Sequence, residues 1–231
     1  NSFKAFLYLI SKSVYCHHQA SNFIYKIEKI LKSYEKLMQF YFTNYDIFNI
    51  FKNNKRILLY LFEEKIIIPD KSISNIILSE KYKDRYYPDY FFREFNSFYD
   101  KTIIERTLKK TIEISENNNG QYEEKRKNGQ NDQFICELIR NDSINEFISH
   151  INHNDISLTM KIEISIYETN WFLTDKSPTL IEYAAYFGSI KIIKYLYLNK
   201  VKLTSSLWIY AIHSGSSELI HLLEENGIVP I

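Results

Sequence analysis

Residues 179–189 read Thr-Leu-Ile-Glu-Tyr-Ala-Ala-Tyr-Phe-Gly-Ser, and residues 206–216 read Ser-Leu-Trp-Ile-Tyr-Ala-Ile-His-Ser-Gly-Ser. Each is followed by an apolar-periodic segment, Ile190–Val201 after the first and Ser217–Ile228 after the second. Tyr183 and Tyr210, Ala184 and Ala211, Gly188 and Gly215, and Asn199 and Asn226 all fall 27 positions apart. A fixed period in this range is the signature of a stacked helical repeat. The stretch Thr179–Pro230 therefore predicts two copies of one helix-turn-helix unit.

Each residue type has a physical task in that unit. Thr179 and Ser206 stand where a hydroxyl caps the free N–H groups of a first helix. Ala184 with Ala185, and Ala211 with Ile212, keep one helix face thin for a close neighbour. Gly188 and Gly215 fall where that helix must stop, in the left-handed conformation that glycine adopts at little cost. Ile192, Ile193 and Leu196, and the matching Leu219, Ile220 and Leu223, form the apolar stripe of a second helix. Asn226-Gly227 ends it. One such pair cannot bury its own stripe, so stacking must supply the stability.

These residues resemble the ankyrin repeat. Thr-x-x-x-x-Ala-Ala-x-x-Gly at Thr179–Gly188 is similar to that family's first helix and turn. Tyr-Leu-x-x-Asn at Tyr195–Asn199 and Leu-Leu-x-x-Asn-Gly at Leu222–Gly227 are similar to its second helix and exit. Two departures are plain. The family's Pro-Leu-His after the capping Thr is Leu180-Ile181-Glu182 here, and only Lys202–Ser205 separate the copies. The second departure leaves no room for a long β-hairpin finger. The good match covers about a quarter of the chain. In its order of segments the chain also resembles divergent ankyrin-rich protist proteins, in which an uncharacterised helical domain precedes the repeats. The resemblance implies non-catalytic protein–protein binding, as an intracellular and cytoplasmic scaffold or adaptor. A structural role in a large assembly such as a cytoskeletal array is the alternative, and a metal- or thiol-dependent enzyme a minor one.

Working outward, the expected fold class is all-α, a repeat stack preceded by an irregular helical region. Apolar residues make up 45% of the 231 positions, enough for a core, while five Gly and four Pro leave few tight turns and favour helices. Residues 1–114 read as helical. Phe3–Tyr15 carries a helical stripe, and Asn22 is placed to cap a longer helix reaching Tyr41. Thr43–Ile68 reads as a degenerate first repeat, because Ile57-Leu58-x-Tyr60-Leu61 parallels Ile192-Ile193-x-Tyr195-Leu196. Pro88 suits the first turn of a helix over Asp89–Phe98, and Asp100 is placed to cap one over Lys101–Ile114. Ser115–Gln130 has one aromatic and no aliphatic residue and reads as a polar, mobile loop. Residues 131–231 divide into a divergent repeat at 131–178 with an insertion at Asn154–Ser177, then repeats at 179–205 and 206–231. Asn141-Asp142 stands in for the turn glycine of the divergent copy, and Trp171 and Phe172 are expected to pack back on the stack. The last copy lacks a polar cap, so further repeats are expected to follow C-terminally.

Charge and cysteines narrow the chemistry. A net charge of +1 argues against a nucleic-acid surface. Two cysteines, Cys16 and Cys136, fit a reducing compartment, and no apolar run is long enough for a membrane span. Cys16-His17-His18 are chain neighbours that point apart on a helix, and His150-x-x-His153 with Asp155 lacks a second ligand pair, so no metal or other cofactor is expected. Cys136 falls on an apolar helix face, which makes a core thiol the better reading than a nucleophile paired with His150. Neither phosphate-cradling glycine fingerprint is present, and Lys125-Arg126-Lys127 follows Glu123-Glu124 in what reads as solvated chain. No catalytic residue is assigned. Tyr183, Tyr186, Phe187, Ile209 and His213 are the candidate partner-binding residues, on or beside the end of the first helix of each unit.

Overall fold

The computed structural model describes residues 2–16, 21–83, 86–107 and 119–230. Among these the fold is all-α, with one isolated antiparallel bridge between Lys161 and Thr179. The helices are α1 Ser2–Cys16, α2 Ser21–Ser33, α3 Glu35–Tyr41, α4 Asn44–Phe51, α5 Lys55–Glu63, α6 Lys71–Ile77, α7 Glu80–Lys83, α8 Tyr87–Tyr90, α9 Phe92–Phe95 and α10 at 101–107. They continue as α11 Asn119–Asn128, α12 Phe134–Arg140, α13 Ile144–His153, α14 Trp171–Lys176, α15 Leu180–Phe187, α16 Ile190–Leu198, α17 Leu207–Ser214 and α18 Ser217–Glu225. The chain divides into two compact units. One is Asn1–Gln130 with Ser165–Thr174, the other Asn131–Ile164 with Asp175–Ile231.

The second unit is built from helix pairs. In α15, Thr179 and Glu182 form a reciprocal capping box, and the helix stops at Gly188, which is left-handed at φ 69°. Gly215 repeats this at the end of α17 with φ 63°. Where the earlier pair α12/α13 turns, Asp142 takes a positive φ of 49° in glycine's place. That conformation costs a β-carbon residue something, and the Asp142 carboxylate offsets it. Its two oxygens accept the backbone N–H groups of Lys191 and Ile192, capping the next pair's second helix at 3.2 and 3.1 Å. Helix α12 packs on α15 and α15 on α17, while α13 packs on α16. Ala184, Ala185 and Ala211 are fully buried, where small side chains let helices approach closely. Ser206 does not cap α17. It lies in helical conformation, and its hydroxyl donates to Glu182 Oε1 at 2.8 Å instead, tying one pair to the next.

The first unit has a continuous apolar core drawn from α1 to α9. Its α4/α5 pair shares the construction of α15/α16. Thr43 and Asp46 form a capping box, the two helices again have eight and nine residues, and Lys65 leaves α5 at φ 57° as Lys200 leaves α16 at φ 69°. Its turn is one residue longer, and Asn54 caps α5. Three expectations are corrected here. Helix α2 begins at Ser21, so Asn22 is not its cap, and the helical run to Tyr41 breaks at Tyr34. The helix expected over Asp89–Phe98 is split into α8, α9 and one 3₁₀ turn, Asn96–Phe98. Trp171 and Phe172, expected to pack back on a repeat stack, fall in the first unit, where Trp171 packs against the core with its ring 6.4 Å from that of Tyr82. Residues 108–114 of the helix expected after Asp100 lie outside the described residues.

The polar stretch Ser115–Gln130 is the largest difference. Residues 119–128 form α11 rather than a loop, and residues 115–118 lie outside the described residues. This helix has no aliphatic stripe. It is anchored by two side chains four apart, Tyr122 and Arg126, both buried.

Backbone conformation gives a graded stability test. A β-carbon at Gly188 would meet only ordinary contacts, the nearest being Ser214 Cβ at 3.6 Å. Gly188→Ala should therefore cost about 1 kcal/mol, from the positive φ alone. At Gly129, with φ 65°, the same carbon would lie 2.7 Å from Thr169 Oγ1, whose hydroxyl donates to Gly129 O. Gly129→Ala should cost about 2–4 kcal/mol, because overpacking adds to the strain. Urea unfolding of both variants checks the order, and a Gly188→Ala protein as destabilised as Gly129→Ala would contradict it.

Candidate functional site

The residues expected to bind partners separate into two groups. Tyr183 and Tyr186 are buried, each about 1% exposed, and so are not surface anchors. The reason is local. The Tyr183 hydroxyl accepts from Arg140 Nη1 at 3.0 Å, and Phe187 lies 4.8 Å from the Tyr183 ring and 5.1 Å from that of Tyr186. The Tyr186 ring also faces His213 of the following pair at 5.5 Å. These aromatics fill the space between pairs. Phe187 and His213 are half-buried, and Ile209 is exposed. Ile212, expected with Ala211 to form the thin face that a neighbour approaches, is instead 71% exposed.

The 27-residue offset relates this face to one on α15. Ile212 stands 27 positions after Ala185, and Ile209 the same distance after Glu182. In α15 this face is covered, since Ala185 is fully buried and Glu182 accepts from Ser206. In α17 the corresponding face carries two exposed isoleucines. Helix α17 thus presents an apolar surface of the kind on which another helix sits one unit earlier. The pattern was legible in principle: the 27-residue offset pairs Ala185 with Ile212 directly.

The first unit holds charged groups in its interior. Lys55 is 2% exposed, and its ammonium donates to Ile166 O and Glu168 O at 3.1 and 3.0 Å, over the rings of Tyr87 and Tyr90. Those carbonyls belong to Ser165–Thr174, and this bonding helps place that segment with the first unit. Arg126, 1% exposed, pairs with Glu94 at 2.7 Å and Glu123 at 3.2 Å, with the rings of Tyr90 and Tyr122 each 5.3 Å away. Burial opposes the charge, but the field of Glu94 overcomes it and holds the guanidinium above its ordinary pKa. Burial pushes the Tyr122 phenol up to about 12 and those of Tyr90 and Tyr99 higher still, so all three stay protonated donors. Tyr90 donates to Arg126 O and Tyr122 to Asp89 O. Arg126, expected as part of a solvated basic run, is instead the buried anchor of α11.

The other chemical candidates are also placed. Cys136 is buried, with Sγ 4.0 Å from Gln133 Oε1. The His150 ring packs edge-on to Phe134, and its Nδ1 lies 3.1 Å from Asn154 Nδ2. His17 and His18 lie outside the described residues. Among the described residues no group of three or more His, Cys, Asp or Glu is arranged to hold a metal ion, and no helix is long and apolar enough to cross a membrane.

Two predictions concern these groups. Arg126→Met should destabilise by about 3–5 kcal/mol, because Glu94 is left with an uncompensated charge in a largely buried position. Adding Glu94→Gln should recover part of that loss. A single variant that unfolds in urea like the parent would disprove the anchoring role. Burial lowers the His213 imidazole below its ordinary 6.5. Its neutral form then contributes stability above that pH, and the contribution is lost as pH falls through the folded value. Melting temperature should drop as pH falls below the ordinary 6.5, and His213→Gln should shrink the drop. Equal slopes for both proteins would count against it.

Compared with known proteins, this chain matches no family model, no curated protein and no solved structure. Its likeness to ankyrin units rests on its own residues.

Proposed function

We propose that this chain is a non-catalytic protein-binding module of ankyrin-like construction, acting as a scaffold or adaptor. The observation that carries the reading is the exposed pair Ile209 and Ile212 on α17, at positions matching Ala185 of α15, which is fully buried, and Glu182, which accepts from Ser206 of the next pair. A face of that shape is complementary to another helix, so the partner is a protein presenting a helical segment with an apolar stripe. Half-buried Phe187 and His213 lie at the ends of α15 and α17, and aromatics at such edges contribute strongly to interfaces. The shared construction of α4/α5 and α15/α16 supports the repeat reading further, since it places a second capped pair of equal helix lengths in the same chain.

A structural role in a larger assembly is favoured by one separate observation. The first unit exposes Leu9, Leu37, Phe40 and Tyr41 on α1 and α3, with Phe40 79% exposed. An assembly component would use that surface as well.

The test is affinity capture from extract of the native cell, comparing the parent with the Ile209→Asp, Ile212→Asp variant. Both side chains are exposed, so each change should alter folding stability by no more than about 0.5 kcal/mol. A partner that is held by the parent and lost with the variant supports the adaptor reading. Partners retained by that variant but lost with Phe40→Asp favour the assembly reading, and partners retained by both refute each surface.

A further inference from the structure

Within the first unit, helices α1 and α4 and the residue Trp171 enclose a cleft of about 630 Å³. Its walls are fixed by local bonds. Ser11 Oγ donates to Ile50 O at 2.8 Å, joining α1 to α4. The Lys52 ammonium donates to Asn49 Oδ1 at 3.2 Å, and Asn49 Nδ2 donates to Tyr45 O at 3.0 Å. Tyr87 OH donates to Lys52 O at 2.7 Å and pins the backbone at the turn.

The chemistry of the lining is one-sided. Two lysines, Lys12 and Lys52, line the cleft, and among the described residues no carboxylate does. Lys52 keeps two of its three protons for a ligand, and Asn53 adds an amide to the same wall. A concave surface with one sign of charge focuses its field and concentrates the opposite ion. Lysine ammonium groups are compact charges well suited to phosphate. Tyr8, Tyr45 and Trp171 supply flat aromatic surface beside the cations, and planar rings stack on such side chains. The volume lies within the range of sites for small organic ligands, roughly 300–1,000 Å³.

We infer that this cleft binds a small phosphate-bearing molecule with a planar ring, a mononucleotide being the simplest example. The phosphate lies between Lys12 and Lys52, and the ring lies along the aromatic wall. This site is independent of the α17 face.

Fluorescence gives a direct test, because the chain has two tryptophans. In a Trp208→Phe background Trp171 is the sole reporter, and the full chain is titrated with AMP, adenosine, inorganic phosphate and a single-stranded oligonucleotide. AMP should change the Trp171 emission at concentrations below about 1 mM, with adenosine and phosphate each at least about tenfold weaker. Binding should weaken as salt rises. Lys12→Gln with Lys52→Gln should reduce AMP affinity about tenfold, and Lys12→Gln alone, at an exposed position of α1, about threefold, both with unchanged melting. No emission change with AMP, equal affinity for AMP and adenosine, or unaltered binding in the folded double variant would each overturn the inference. Tighter binding of the oligonucleotide than of AMP would overturn it in favour of a polymer.

Discussion

A helix pair of eight and nine residues has an apolar stripe that its own two helices cannot cover. The second unit is shaped by this constraint. Helix α15 is apolar on several sides, and its burial needs α12 on one side and α17 on the other. Alanines at 184, 185 and 211 make that approach possible, since larger side chains would hold the helices apart. The polar bonds between pairs then set register rather than bulk stability. Asp142 caps α16 from the preceding pair, Ser189 donates to Ile139 O, and Ser206 donates to Glu182. Each satisfies a group that a single pair would leave to water.

The first unit solves a different problem. Helix α11, which has no aliphatic side chain, is held by a buried cation. A second buried cation bonds Ser165–Thr174, whose Ile166, Tyr167, Trp171, Phe172 and Leu173 add apolar contact of their own. Arg126 brings its guanidinium between two tyrosine rings and two glutamates. Lys55 reaches two backbone carbonyls. Both side chains have long apolar stems, so burying them gains contact area even where the aliphatic residues are missing. Such charges are costly to strand, which makes the network specific as well as stabilising.

These two modes of construction leave different surfaces. Helix α17 carries an apolar face with Ile209 and Ile212 exposed, the face we propose for a partner helix. Assembly of α1, α4 and Trp171 leaves a cleft lined by two lysines and, among the described residues, by no carboxylate. The tyrosines between the pairs belong to neither surface. Tyr183 and Tyr186 are spent on filling the space beside Arg140, Phe187 and His213.

The sequence by itself determined the helices from α15 to α18, because their signals are local. Capping residues, apolar spacing and the glycines at 188 and 215 act within a few positions of where they stand. The spacing between copies also identified the paired positions, since Ala184 and Ala211 follow the same 27-residue offset as the glycines. Only the tertiary structure decided which aromatic was buried. Exposure of Tyr186 depends on whether His213, one unit later, lies against it. Only the tertiary structure made a helix of residues 119–128, whose composition forecasts solvation. Its anchors bond to Glu94 and Tyr90, roughly thirty positions away, and no local pattern reports such partners. The cleft beside Lys12 and Lys52 was hidden for the same reason. Its walls come from α1, α4 and Trp171, and a site assembled from distant segments has no spacing to read.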